Sequence, residues 1–241
     1  MELDRADVAV SGALALGSFE KTEVELFRQI LKESMNVVDI GAHIGYYTLI
    51  AGRRVGPSGK VFSYEPEKLN FSFLKRNIDL NKLNNVQIHN HGIADISDKR
   101  TLYLDNHNRG HNSLANDKKK RSTVEISLET LDNALDKYGS PKIDIIKMDI
   151  EGAEVLALAG MKKTIARNPK IIIFTEFYPK AIERLGHSPM AFLKELITLG
   201  FSLSVINEDK SSLTNIENLE KFVSDFPGGE AFRNILATRK K

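Results

Sequence analysis

The stretch Val37–Thr48, read as VVDIGAHIGYYT, constrains this chain more than any other. An apolar pair, Val37-Val38, ends what reads as a buried strand. Asp39 stands at its carboxyl end, and Gly41 and Gly45 frame a tight loop before a helical pattern begins. Glycine at these two places lets the backbone pass close to a ligand, because neither residue carries a Cβ. The helix that opens behind them turns unpaired N–H groups and a positive dipole end toward whatever binds there. Strand, glycine loop and helix N-terminus in that order form the ligand corner of a doubly wound α/β sheet.

Alone, D-x-G-x-x-x-G is a weak signal, and the second strand gives it weight. Lys60–Glu65 (KVFSYE) reads as that strand, ending in an acid, with Pro66 opening the next helix. An acid at that tip is placed to accept both hydroxyls of a ribose. Its competing explanation is an acid favoured by a helix N-terminus. A dinucleotide fold would want G-x-G-x-x-G. Here Gly41-Ala42-His43-Ile44-Gly45 lacks the middle glycine, and Asp39 adds negative charge beside the loop. A carboxylate there favours a ligand with positive charge over one with two phosphates. S-adenosylmethionine, which carries a sulfonium, an ammonium, a carboxylate and a ribose, suits this mixture.

Composition narrows the partners. The 34 basic and 32 acidic residues nearly balance at a formal charge of +2, so nothing demands a polyanion and no nucleic acid is expected. Without cysteine the chain has neither disulfides nor thiolate metal sites, and no metal is expected. Val8–Phe19 is mildly apolar, but Glu2, Asp4 and Asp7 precede it where a signal peptide needs positive charge. It is also too short to span a bilayer. A cytoplasmic protein without a membrane span is the expectation. With no internal repeat and no second composition regime, residues 36–241 read as one domain, and residues 1–35 as an arm and helix packed on it.

Along the chain, residues up to about Gly17 show no period and read as an irregular arm. From Glu20, residues Val24, Phe27, Ile30 and Leu31 share a helical face with charges opposite. A helix from about Ile44 to Val55 stops at Gly56-Pro57-Ser58-Gly59. The helix after Pro66 carries Phe71, Leu74 and Ile78, and Val86–His91 reads as a third strand. Gly92 and Ile93 come next, where small residues let a flat base approach the backbone. Thr101–Leu104 reads as a strand outside the alternation. Asp105–Arg121, with His107, His111 and the run Lys118–Arg121, reads as a solvated loop or a substrate lid. Val124–Ser127 returns the chain to the domain, and Leu128, Leu131, Leu135 and Tyr138 mark a helix ended by Gly139. After the strand in Ile143–Asp149, a helix bearing Val155, Leu158 and Ile165 runs to Pro169. Ile171–Phe174 is a fifth strand, and Phe201–Ile206 and Asn234–Ala237 are the last.

Ile143–Glu154 (IDIIKMDIEGAE) is a second dense segment. Asp149 and Glu151, two apart at a strand end, lean to one face if the extended geometry persists. Glu176 ends the next strand, which doubly wound order sets beside this one. Three acids then converge on the carboxyl edge of the sheet, where one can act as a base near neutral pH.

VVDIGAHIGYYT, the SYEP step and KMDIEGAE together resemble the FkbM family of S-adenosylmethionine-dependent methyltransferases, from about Phe19 to Phe177. The resemblance implies the class I methyltransferase fold: Rossmann-like, doubly wound, a mostly parallel seven-stranded sheet with helices on both faces. Its last strand would enter antiparallel, as a hairpin at the sheet edge. It implies O-methylation of a hydroxyl on a sugar, glycan or natural product. Asp39, Gly41 and Gly45, with Ala42 and His43 between the glycines, would shape the methionine pocket. Glu65 would take the ribose, and Asp149 would lie near the methyl group. His43 stands where family members often have asparagine, which keeps a hydrogen-bonding side chain there. Two rivals remain: a domain that binds S-adenosylmethionine without turnover, and a nicotinamide-dependent oxidoreductase on the same scaffold.

Overall fold

The structure, a computed structural model, describes residues 1–105, 108–116 and 122–239. The strands, in chain order, are β1 (Asn36–Ile40), β2 (Lys60–Tyr64), β3 (Val86–His89), β4 (Gly92–Ile93), β5 (Asp98–Leu104), β6 (Ser122–Glu129), β7 (Ile145–Met148), β8 (Ile172–Phe177), β9 (Phe201–Asn207), β10 (Ser212–Asn215) and β11 (Arg233–Arg239). The helices are α1 (Val10–Ala15), α2 (Lys21–Ile30), α3 (Tyr46–Val55), α4 (Lys68–Asn81), α5 (Leu131–Asp136), α6 (Glu154–Ala159), α7 (Lys162–Arg167), α8 (Pro179–Arg184), α9 (Pro189–Thr198) and α10 (Leu219–Ser224).

The main sheet runs β10-β9-β11-β8-β7-β1-β2-β3. Strands β3, β2, β1, β7 and β8 are parallel, and β11 enters antiparallel between β8 and β9. Both faces of β1 are covered. Val38 and Ile40 belong to the apolar cluster under α5 to α9, whereas Val37 packs with Phe27, Tyr47 and Leu74 of α2, α3 and α4. A strand buried on two faces reads as a continuous apolar run, which is how these strands stand in the sequence. The chain order reverses between β1 and β7, and their carboxyl ends open a crevice there, where ligands bind in open α/β sheets.

Several boundaries differ from the periodicity. The N-terminal segment contains a helix, α1, because the Asp7 carboxylate accepts hydrogen bonds from the N–H groups of Val10 and Ser11 (3.3 and 3.1 Å). The third main-sheet strand stops at His89. Gly92-Ile93 pairs instead with β6, in a separate three-stranded sheet with β5. Leu128 lies in β6, and the helix starts only at Leu131, with Thr130 accepting from the Asn133 N–H at 3.2 Å. The helix beyond Gly152 is two helices. A Cβ on Gly160 would sit 1.9 Å from the Ala94 carbonyl oxygen, and Asp132 accepts from the N–H groups of Lys163 and Thr164 to start α7. β8 extends to Phe177, so Glu176 lies within it. The hairpin strand β10 adds an eighth strand to the sheet edge; its exposed, polar sequence has no apolar period to announce it.

Candidate functional site

At the crevice between β1 and β7 the structure holds a pocket of about 380 Å³. It is lined by Asp39, Gly41, Ala42, His43, Glu65, Asp149, Glu151 and Glu176, eight of the residues singled out in the sequence. Gly45, Gly92 and Ile93 are not among the residues that line it. A Cβ on Gly45 would meet Leu74 of α4 at 2.7 Å, and one on Gly92 would meet Leu128 at 2.7 Å.

The glycine loop is held from both sides. Gly41 and Ala42 donate their N–H groups to the Tyr64 carbonyl (2.9 and 3.0 Å), and Asn77 donates to the Ile44 carbonyl (2.8 Å). Gly41 has φ +82°, and a Cβ there would lie 2.1 Å from the Asp149 carbonyl oxygen. Gly41→Ala should therefore destabilise the fold by about 1–3 kcal/mol from backbone strain alone, and push the ends of β1 and β7 apart. A lowered melting temperature checks this; an unchanged one means the loop relaxes freely.

Asp39 faces Lys147 in register across β1 and β7. Its Oδ2 accepts from Thr48 Oγ1, which also lies 2.8 Å from Ser63 Oγ. Burial pushes its carboxyl up to about 6, although the Thr48 hydrogen bond pulls it back. Glu65 accepts from the N–H groups of His43 and Glu67, both at 2.9 Å. The cap of α4 is Glu67, which accepts from Leu69 and Asn70 (2.9 and 2.8 Å), so the helix-start explanation attaches to Glu67. Burial lifts the Glu65 carboxyl to about 7, against those backbone hydrogen bonds.

Asp149 follows β7, and Glu151 comes after it in a turn with φ +55°. The extended geometry does not persist, and the two acids reach the pocket by a turn rather than along one strand face. Glu176 arrives from β8, whose Thr175 pairs with Met148. Burial, then the charges of Glu151, Asp149 and Glu154, raise Glu176 well above the usual carboxylate range.

Sequence reasoning missed the group behind these acids. Lys147 is 1% exposed; its ammonium lies 3.1 Å from Asp149 Oδ2, 3.2 Å from Glu23 Oε1 and 4.8 Å from the centre of the Tyr47 ring. Burial alone would strip its proton, but Asp149, Glu23 and Glu20 outweigh that and hold it charged well above the usual lysine range. Glu23, at 0% exposed, is pushed by burial up to about 8 despite Lys147. Glu20 accepts from the Tyr47 hydroxyl (2.7 Å) and from Asn234 Nδ2 (3.0 Å). The available signal was a lysine inside the apolar run Ile143–Met148, since a buried lysine requires anionic partners.

Two segments roof the pocket. Ala9 and Val10 come from the N-terminal arm, and the turn Arg109–His111 comes from the polar insertion. The two meet where Arg109 Nε approaches Asp4 Oδ2 at 3.0 Å. Ser113 pairs with Tyr103 through backbone hydrogen bonds and donates its hydroxyl to the Glu151 carbonyl (3.2 Å). His111 Nε2 lies 3.9 Å from Glu151 Oε1. His107 and Lys118–Arg121 lie outside the described residues. Among the described residues no group of acids and histidines has the arrangement of a metal site, and no helix is long and apolar enough to cross a membrane.

A family model described as "Methyltransferase FkbM domain" matches residues 39–203. "Methyltransferase 1" of Beauveria bassiana is 26% identical over an alignment of 144 residues that covers 52% of this chain and 57% of the fungal protein's length. A Sulfurisphaera tokodaii protein named as a probable cobalt-precorrin-6B C(15)-methyltransferase (decarboxylating) is 30% identical over 164 residues, covering 61% of this chain and 82% of its own. A Streptococcus mutans protein solved in complex with SAH superposes with a TM-score of 0.52 at 11% identity, covering 91% of this chain and 97% of that one. The architecture is that of the class I methyltransferases.

Proposed function

The chain belongs to the FkbM methyltransferase family, and from that premise we propose that it transfers the methyl group of S-adenosylmethionine to a hydroxyl of a sugar, glycan or natural product. The observation that carries this reading is the meeting of Asp39, Gly41, Glu65 and Asp149 in one pocket at the point where the strand order reverses. The residues suit the cofactor. Glu65 keeps acceptor capacity for ribose hydroxyls beyond its two backbone donors, Asp39 places negative charge by the glycine loop, and both ring nitrogens of half-buried His43 lack hydrogen-bond partners among the described residues.

Bound there, S-adenosylmethionine supplies a methyl group already activated by its sulfonium. The chain has then to align an acceptor oxygen in line with that methyl and take its proton. Asp149 is the candidate base: its side chain is 31% exposed, against 0% for Glu23, and Lys147 fixes one of its oxygens. Glu151 and Glu176 are the other acids within the wall. With the methyl group leaving the sulfur for the acceptor oxygen, the hydroxyl proton would pass to the carboxylate, giving a methyl ether and the demethylated cofactor. The arm and the Arg109 turn cover part of the pocket, where a closed roof would keep water from this step.

Cofactor affinity should rise with pH. Glu65 accepts ribose hydroxyls fully only when ionised, and its free-protein value is about 7. A single such group gives roughly tenfold tighter binding at pH 8 than at pH 6. Glu65→Gln should remove that dependence and weaken binding by about 1.5–3 kcal/mol at pH 8. Calorimetry at the two pH values checks both; an unchanged slope in the variant means Glu65 does not meet the ribose.

Incubation with labelled S-adenosylmethionine and extracts of glycans, lipid-linked sugars and polyketides tests the activity. Label in a base-stable methyl ether is expected. Cofactor binding with no transfer in any extract favours a binding domain, and label on carbon or nitrogen rejects O-methylation.

A further inference from the structure

The pocket wall holds more carboxyl groups than the cofactor reading assigns. Beyond Asp39 and Glu65 it presents Glu20, Asp149, Glu151 and Glu176. The cation among them, Lys147, is already shared between Asp149 and Glu23. Arg109 reaches the wall from the roof but is engaged by Asp4. The oxygens of Glu20 accept from Tyr47 and Asn234.

Glu176 differs from the rest. It is 5% exposed, it lines the pocket, and its Oε2 has no hydrogen-bond partner among the described residues. A buried carboxyl oxygen left unmet is destabilising by the full desolvation of that group, and a cluster of carboxyls in a low-dielectric cleft is met best by positive charge. The wall also carries the aromatic side chains of Phe19, Tyr46 and Phe232, and polar ones of Asn70, Asn108, His111 and Asn112. Phe19 and Tyr46 are in edge contact at 5.7 Å, which gives a rigid apolar surface.

We infer that the acceptor is an amphiphilic cation: a hydroxyl-bearing molecule whose protonated amine is received by Glu176 and the neighbouring acids, with its apolar body against Phe19, Tyr46 and Phe232. The inference rests on the methyltransferase reading and deepens it by naming the chemistry of the acceptor. In the free protein, burial and like charge favour a proton on Glu176. A bound ammonium takes that proton's place and donates to Oε2.

Tyramine and N-acetyltyramine form a matched pair of probes, since acetylation keeps the ring and hydroxyl and removes the charge. Each is titrated into the protein saturated with S-adenosylhomocysteine, with calorimetry or ligand-observed NMR as the readout. Tyramine should bind at least tenfold more tightly, and Glu176→Gln should reduce that preference to below threefold while S-adenosylhomocysteine still binds. Equal binding, tighter binding of the acetamide, or no tyramine binding to the S-adenosylhomocysteine complex overturns the inference and leaves the cofactor reading intact. A preference that survives Glu176→Gln overturns the role given to Glu176. If S-adenosylhomocysteine itself fails to bind, the cofactor reading falls and this inference with it.

Discussion

Lys147→Met should strip the protein of most of its stability at pH 8 and return much of it at pH 5.5. The ammonium is enclosed with Glu23 at 3.2 Å and Asp149 at 3.1 Å. Removing one partner of a buried ion pair typically costs about 3–5 kcal/mol, because the other charge is left uncompensated. That is a large share of the roughly 5–15 kcal/mol that holds a domain folded. The pH dependence comes from the direction of the shift. With Lys147 in place Glu23 is already raised to about 8, and losing the cation raises it further. A carboxyl raised on folding contributes stability that is full below its unfolded value, near the ordinary 4.5, and is lost as pH climbs through its folded value. In the variant Glu23 keeps its proton in the folded state at both pH values and must take it up from solution on folding, a cost that shrinks as pH falls toward 4.5. Urea unfolding at the two pH values measures it, and adding Glu23→Gln should recover part of the loss at pH 8. Equal stability of Lys147→Met and the parent at pH 8, or a larger loss at pH 5.5, means the lysine does not compensate these acids.

Asp149→Asn should lower kcat by about 10²–10⁴, the usual contribution of a positioned general base. The amide keeps the size of the side chain but cannot take the acceptor's proton. It also gives up the ion pair that lets Lys147 fix the carboxylate. Cofactor affinity should stay within about fivefold, under 1 kcal/mol, because the glycine loop and Glu65 are untouched. Single-turnover methyl transfer separates this from binding. A normal kcat with a raised acceptor KM would move the base to Glu151 or Glu176 and leave Asp149 as a binding group.

The parts legible in the sequence are those where one local requirement leaves a mark. Gly41 must be glycine because of its φ and the Asp149 carbonyl behind it, and the apolar runs of β1, β7 and β8 are buried on both faces. What escaped depends on contacts distant in sequence. Glu23 looks like a solvated charge on an amphipathic helix, yet it is fully buried because Lys147, more than a hundred residues on, requires it. The break between α6 and α7 falls at Gly160, where only glycine fits beside the Ala94 carbonyl and Asp132 starts α7, which no helical period records. The Asp4–Arg109 contact joins two segments that each read as irregular.

On the function proposed, the pocket between β1 and β7 receives S-adenosylmethionine and not a dinucleotide. Calorimetric titration of the purified protein with S-adenosylmethionine and, separately, with NAD tests it most directly. One-to-one binding of S-adenosylmethionine with NAD far weaker is the expected result, and tight NAD binding without an S-adenosylmethionine signal would contradict it.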